Sequence, residues 1–263
     1  MVAISFLSCK KDPAFNDIYP VYEKEIFQDL SYGNNVHQKM DVYLPANRNS
    51  TTRAVIFIHG GAWFQGDKSD WGSMMNTYAD SGIAAVAINY RLVDSIDGIT
   101  YHSILNDIDS AIAFLQRKEK LYNVSFSTYT LFGQSAGSHL ALMYSIERAN
   151  VRQVVALAAP SDLNDPNLLA VYDMTMWIDN MIGSNDPFQR TAASPISYQN
   201  RVPTYLYHGK ADEVVPYHQS VAYYNHIQSL NPENKLTLFD NNGHDLVQVL
   251  PQIVAETIAL IKK

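Results

Sequence analysis

The chain has 263 residues, 47% of them hydrophobic and 17% charged, which is enough apolar material for one large core or two small ones. Its formal net charge is −7, and no basic run is longer than Lys10-Lys11 or Lys262-Lys263, so a nucleic-acid partner is not expected. A single cysteine excludes an internal disulfide, and no Cys/His spacing of the zinc type occurs, so neither a metal nor another cofactor is expected.

At the N-terminus the short apolar run Val2 to Ser8 leads into that cysteine, Cys9, and then into Lys10-Lys11-Asp12-Pro13. The arrangement resembles the end of a bacterial lipoprotein signal with Cys9 as the lipidated residue, although the basic leading region is missing and the apolar run is short. Two readings stay open. One is a lipid anchor at Cys9 on a protein of the cell envelope or periplasm, and the other is an unmodified terminus on a cytoplasmic protein. That anchor would be the only membrane link, because no other stretch is long and apolar enough to span a bilayer. Residues 1–25 are read as a terminal arm and residues 26–263 as one domain.

Ile26 to Tyr32 and Met40 to Leu44 flank Gly33-Asn34-Asn35 and predict an antiparallel hairpin at a sheet edge. Four apolar runs follow, Ala54 to Ile58, Ala84 to Ile88, Tyr129 to Phe132 and Val154 to Leu157. Between them Trp71 to Ser81, Ile104 to Arg117 and Ala136 to Glu147 fit a helical period. Two more strands, Thr204 to Tyr207 and Leu236 to Phe239, alternate with helices near Ser220 to Ser229 and Leu246 to Ile261. Continuous apolar strands separated by helices predict an α/β fold, with a mostly parallel sheet of about eight strands covered on both faces. The segment of residues 161–194 breaks the alternation with Asp, Asn and Pro, and is read as a small cap over the site.

Gly133-Gln134-Ser135-Ala136-Gly137 stands between an apolar run and a helical pattern, the setting of a serine held at the apex of a tight strand-to-helix turn. Serine is a weak nucleophile at neutral pH and needs a base and a carboxylate. His244, in Asn242-Gly243-His244-Asp245, and Asp212, in His208-Gly209-Lys210-Ala211-Asp212, both follow strands at the carboxyl edge where open α/β sheets bind ligands. Glu213, Asp162 and Asp240 are rival carboxylates, and His208, His139, His218 and His226 rival bases; the histidines lie where packed or surface roles are commoner. His59-Gly60-Gly61-Ala62-Trp63 follows the strand Ala54 to Ile58, and its glycines let the backbone approach a substrate closely. An oxyanion hole is expected from the amide of Gly61 or Ala62 together with that of Ala136. His59 is read as structural, as is an ion pair between Arg91 and Asp107 beneath that loop. Trp63, Gln134 and Trp177 are candidate pocket residues. Trp63, Trp71 and Tyr90 fit a pocket wall or core equally well, and Tyr172 is a weaker candidate for substrate contact.

HGGAW, GQSAGSHLA, HGKADEVVP and NGHD, in that order over residues 36–262, resemble the HGG-type esterases of the α/β-hydrolase fold, and by motif the bacterial feruloyl and acetyl esterase-like branch. The resemblance implies a Ser135, Asp212, His244 triad, an oxyanion hole at Gly61 and Ala62, and a small-molecule or carbohydrate-linked ester as substrate. Two positions depart from the pattern: relatives often carry histidine at Gln134 and glycine at Ala62. HGG-x-W with a SAG-x-HLA elbow is also similar to formamidases that cleave N-formyl aromatic amines, which is the alternative activity. A catalytically inactive binding protein on the same fold is the alternative of another class.

Overall fold

The computed structural model describes residues 22–263. Cys9 and the rest of the arm up to residue 21 lie outside the described residues. Eight strands form one sheet: β1 (Glu25–Ser31), β2 (Lys39–Leu44), β3 (Ala54–Ile58), β4 (Ala84–Ile88), β5 (Tyr129–Gln134), β6 (Val151–Leu157), β7 (Thr204–Gly209) and β8 (Lys235–Phe239). Their spatial order is β1-β2-β4-β3-β5-β6-β7-β8. The β1–β2 hairpin is antiparallel and joins β4 antiparallel, and every later pairing is parallel. This is the mostly parallel α/β sheet that the strand and helix periods predict.

Strand alternation splits the core in two. On one face Ile56, Ile58, Val86 and Leu131 pack under α2 (Tyr101–Tyr122), α3 (Ala136–Glu147) and, near the far edge, α7 (His218–Ile227). On the other face Val55, Phe57, Phe132 and Tyr207 pack under α1 (Gly72–Asp80) and α8 (Leu250–Lys262). Phe57 sits at the centre of that second layer, with ring centroids 5.3 Å from Trp71, 5.3 Å from Tyr78 and 5.1 Å from Phe132. Trp71 therefore belongs to the core on the face opposite α3.

Two helices differ in extent from their sequence patterns. α2 begins before Ile104 because Thr100 and Ser103 form a reciprocal cap, and it runs on to Asn123, whose left-handed backbone (φ 50°, ψ 42°) ends it. α8 starts at Leu250 rather than Leu246, since Leu246 itself adopts a positive φ of 54° and turns the chain. Periodicity reports which face is apolar, but not where capping stops the helix.

The interrupting segment folds as α4 (Pro166–Leu169), α5 (Met174–Ile182) and α6 (Pro187–Ala192). Asp165 and Asp186 cap the first and last of these, each followed by proline at the first helical position. The segment is tied down at both ends. Gln219 Oε1 accepts the amides of Ser161 at 2.7 Å and Asp162 at 2.8 Å, and Ser194 Oγ accepts the amide of Leu163 at 2.9 Å.

The start of α3 lies nearly on the strand backbone. A Cβ on Gly137 would come within 2.1 Å of the Ile58 carbonyl oxygen and 2.6 Å of that of His59. Neither is a flexible side chain that could move aside. Gly137→Ala is expected to destabilise the fold by about 3 kcal/mol or more through overpacking, read as a lowered urea midpoint; an unchanged midpoint would show that α3 can slide off β3.

Candidate active site

Ser135 sits between β5 and α3 with φ 54° and ψ −121°, a conformation a non-glycine residue holds only when its surroundings impose it. Two hydrogen bonds to one carbonyl impose it here. The Ser135 amide donates to Leu157 O at 2.8 Å, and Ser138 Oγ donates to the same oxygen at 2.8 Å. The side chain is thus delivered to the start of α3, where the Ala136 amide has no partner within the helix.

The loop after β3 supplies the facing wall. Gly61 (φ 104°), Ala62 (φ 50°) and Trp63 (φ 67°) are consecutive residues of positive φ, and Gly61 O closes the turn by accepting the amides of Phe64 and Gln65, each at 3.0 Å. A Cβ at Gly61 would stand 2.2 Å from Gln65 O, so this position has no room for one. Ala62 holds a left-handed conformation that favours glycine, at a cost of about 1 kcal/mol, which accounts for the glycine relatives often carry there. Among the described residues the amides of Gly61, Ala62 and Ala136 donate no hydrogen bond. Unpaired donors beside a serine are what an incoming oxyanion needs.

Asp212 leaves β7 and is buried, with all its oxygen positions engaged. Oδ1 accepts the amides of Val214 at 2.8 Å and Val215 at 2.9 Å, while Oδ2 accepts His244 Nδ1–H at 2.8 Å and His208 Nε2–H at 3.1 Å. Burial pushes the Asp212 carboxyl up, but the hydrogen bonds from His208 and His244 outweigh it and hold the group well below the usual carboxylate range. His244 comes from the turn after β8, its side chain 22% exposed. It faces the same pocket as Ser135, whose hydroxyl makes no hydrogen bond among the described residues. Serine and imidazole line one cavity, and among the described residues no hydrogen bond joins them.

The cavity measures about 200 Å³ and is lined by Gly61, Ala62, Trp63, Gln134, Ser135, Ala136 and His244, together with Trp177 and Met174 of α5. The residues that the motifs single out are therefore gathered around one space, except Asp212, which lies behind the wall and reaches it through its hydrogen bond with His244. Gln134 bridges two walls, its amide donating to His244 O at 3.3 Å. Trp63 is only 1% exposed, so it is largely packing, with its ring edge-on to His139 at 5.3 Å.

The rival residues are elsewhere. Asp240 pairs with Lys210, Asp162 accepts the Asn164 amide, and Glu213 is exposed. His218 is exposed and His226 binds the Tyr198 carbonyl. Tyr172 is 85% exposed and outside the cavity, and Tyr90 is fully buried, stacked on His59 and donating to its carbonyl at 2.8 Å. Arg91 grips the buried Asp107 through Nε, Nη2 and its own amide, a structural pair holding the chain after β4. Sequence reasoning missed Gln65, Pro160, Met174, Val214 and Val215 on the cavity wall and passed over His208 as a packed strand-end residue. The four-residue spacing of His208 and Asp212 was the available signal.

Comparison with known proteins matches residues 40–227 to the BD-FAE family model. The chain belongs to the BD-FAE family, an esterase-type family of α/β-hydrolases. It is 24% identical to the isoprenylcysteine alpha-carbonyl methylesterase ICME of Arabidopsis thaliana, over 85% of this chain and 57% of that protein. Over 45% of its length it is 29% identical to the kynurenine formamidase of Danio rerio, covering 38% of that enzyme. The chain thus spans about half or less of these curated relatives. Its fold superposes with a TM-score of 0.76 on a truncated carbohydrate esterase from gut microbiota, at 21% identity, covering 92% of this chain and 96% of that one.

One further histidine of this BD-FAE chain responds to its surroundings. His139 on α3 is wholly buried, its Nε2–H donating to Ala193 O at 2.8 Å at the end of the cap segment, and burial lowers its pKa to about 4. The unfolded chain protonates this imidazole near 6.5, so below that value protons favour unfolding. Stability should fall as pH drops from about 6.5 to about 4, with the buried His59, also lowered by burial, adding in the same direction. Urea midpoints at pH 7 and pH 5 measure this. His139→Leu should flatten the slope, and an unchanged slope would place the acid sensitivity elsewhere.

Proposed function

We propose that this protein is a serine carboxylesterase acting through an acyl-enzyme. The observation that carries the reading is the Asp212–His244 hydrogen bond of 2.8 Å, facing into the cavity that also holds Ser135 and the unpaired amides of Gly61, Ala62 and Ala136. With Nδ1–H given to Asp212, His244 presents Nε2 as a lone-pair base toward the cavity. It takes the Ser135 proton as the hydroxyl oxygen attacks the ester carbonyl. The developing oxyanion is received by Ala136 N–H and by Gly61 or Ala62 N–H, each donor contributing about 3 kcal/mol in the transition state. His244 then returns the proton to the leaving alcohol, and a water molecule repeats the sequence on the acyl-serine.

A cavity of about 200 Å³ walled by Trp177 and Met174 suits a short acyl or aryl group. The carbohydrate esterase of similar fold and the methylesterase relative support an ester, with a carbohydrate-linked alcohol as one candidate. A second reading is favoured by Trp63 on the cavity wall and by the similarity to kynurenine formamidase: the same groups would hydrolyse an N-formyl aromatic amine. Parallel assays with p-nitrophenyl acetate and N-formylkynurenine separate the two.

Ser135→Ala is expected to lower p-nitrophenyl acetate hydrolysis by about 10⁴-fold or more and to abolish labelling by a fluorophosphonate; residual labelling would point to another nucleophile. Trp177→Ala should alter the ratio of kcat/KM between acetyl and longer or aryl acyl esters by about tenfold. An unchanged ratio would remove Trp177 from the acyl wall.

A further inference from the structure

His208 is fully buried and plays no part in the proton transfers described above. Its three hydrogen bonds define its chemistry. Nε2 lies 2.9 Å from Val215 O and 3.1 Å from Asp212 Oδ2, and both are oxygens that can only accept, so Nε2 carries a proton. Nδ1 lies 2.7 Å from Ser220 Oγ, whose hydroxyl can donate into it. A neutral imidazole with its proton on Nε2 satisfies every contact. The oxygen it shares, Asp212 Oδ2, is also the one that His244 Nδ1–H uses at 2.8 Å.

We propose that His208 is a positioning residue: by donating to the same carboxylate oxygen as His244, it fixes the Asp212 side chain and draws off part of its basicity. The inference rests on the Ser135, Asp212, His244 reading. Two consequences follow from the geometry. The carboxylate cannot rotate about its Cβ–Cγ bond without breaking four hydrogen bonds, so His244 is held in one orientation and one tautomer. A carboxylate already shared between two N–H donors also attracts the proton on His244 less strongly. Removing the His208 donor would leave Asp212 holding the His244 proton more tightly, a change that the pH profile of the variant reads.

The other titratable or charged groups around this pair lie on four segments. They are Lys210 and Glu213 in the Asp212 loop, Asp240 and Asp245 around the turn after β8, Tyr217, His218, Tyr223 and Tyr224 at and along α7, and Asp162 after β6. Lys210 is engaged with Asp240, and none of these groups hydrogen-bonds His208 or Asp212 among the described residues.

The test is the pH profile of kcat/KM for p-nitrophenyl acetate in the full chain and in two variants. His208→Leu, which cannot donate, should move the acid limb to higher pH by about one unit and lower kcat more than it raises KM. His208→Gln, whose amide nitrogen can reach the position of Nε2, should restore the limb to within a few tenths of a unit. A limb that stays in place in His208→Leu, or that shifts equally in both variants, overturns the proposal. If His208→Leu does not fold, the unsubstituted protein still decides the matter: ¹⁵N shifts should show His208 protonated on Nε2 and not on Nδ1, and the opposite tautomer would refute it. Fluorophosphonate labelling of Ser135 run alongside keeps the two questions apart, because its failure would count against the triad reading and leave the His208 tautomer measurement standing.

Discussion

The site depends on one crowded crossing, where the turn between β5 and α3 passes over the end of β3. Ser135 holds a backbone conformation that costs on the order of 1–3 kcal/mol, and Leu157 O at the end of β6 receives both hydrogen bonds that keep it there. Gly137 allows the helix to press against the Ile58 and His59 carbonyls. Because the strain is carried by the packed middle of a parallel sheet, the hydroxyl is set by rigid elements rather than by a loop, and the amide of Ala136 arrives beside it through the same turn.

The Asp212 carboxylate is a second fixed point, of electrostatic rather than steric origin. A buried charge is stable only when its lone pairs are engaged. Here two backbone amides and two imidazoles engage them, so the ionised form survives burial and the His244 imidazole receives a defined partner. The loop that carries Asp212 also puts Val214 and Val215 on the cavity wall, so the shape of the cavity and the ionisation of the Asp212 carboxyl arise from one short stretch of chain.

The segment of residues 161–194 links these features to the shape of the cavity. Gln219 of α7 and Ser194 grip its beginning, and His139 of α3 holds its end through the Ala193 carbonyl. Trp177 and Met174 reach the cavity from the middle of the segment. A change in how tightly the ends are held would therefore be felt at the cavity wall formed by Trp177 and Met174 before it reached Ser135, Asp212 and His244.

Much of this was legible in the chain of residues alone. Apolar runs such as Ala54 to Ile58 and Ala84 to Ile88, separated by helical patterns, are enough to specify a parallel sheet, because only strands buried on both faces read so continuously apolar. The order of HGGAW, GQSAG, Asp212 and His244 places each motif after a strand, so their meeting at one sheet edge follows from topology. Only the tertiary structure could decide which carboxylate faces His244, which aromatic rings are walls and which are core, and what His208 does. The sequence leaves both Trp71 and Trp63 open between wall and core, yet one packs beneath the far face and the other reaches the cavity. Local pattern reports a residue's own burial tendency and backbone preference. Which atom lies opposite it depends on the crossing of segments more than a hundred residues apart, as the 110-residue separation between Gln134 and the His244 carbonyl shows.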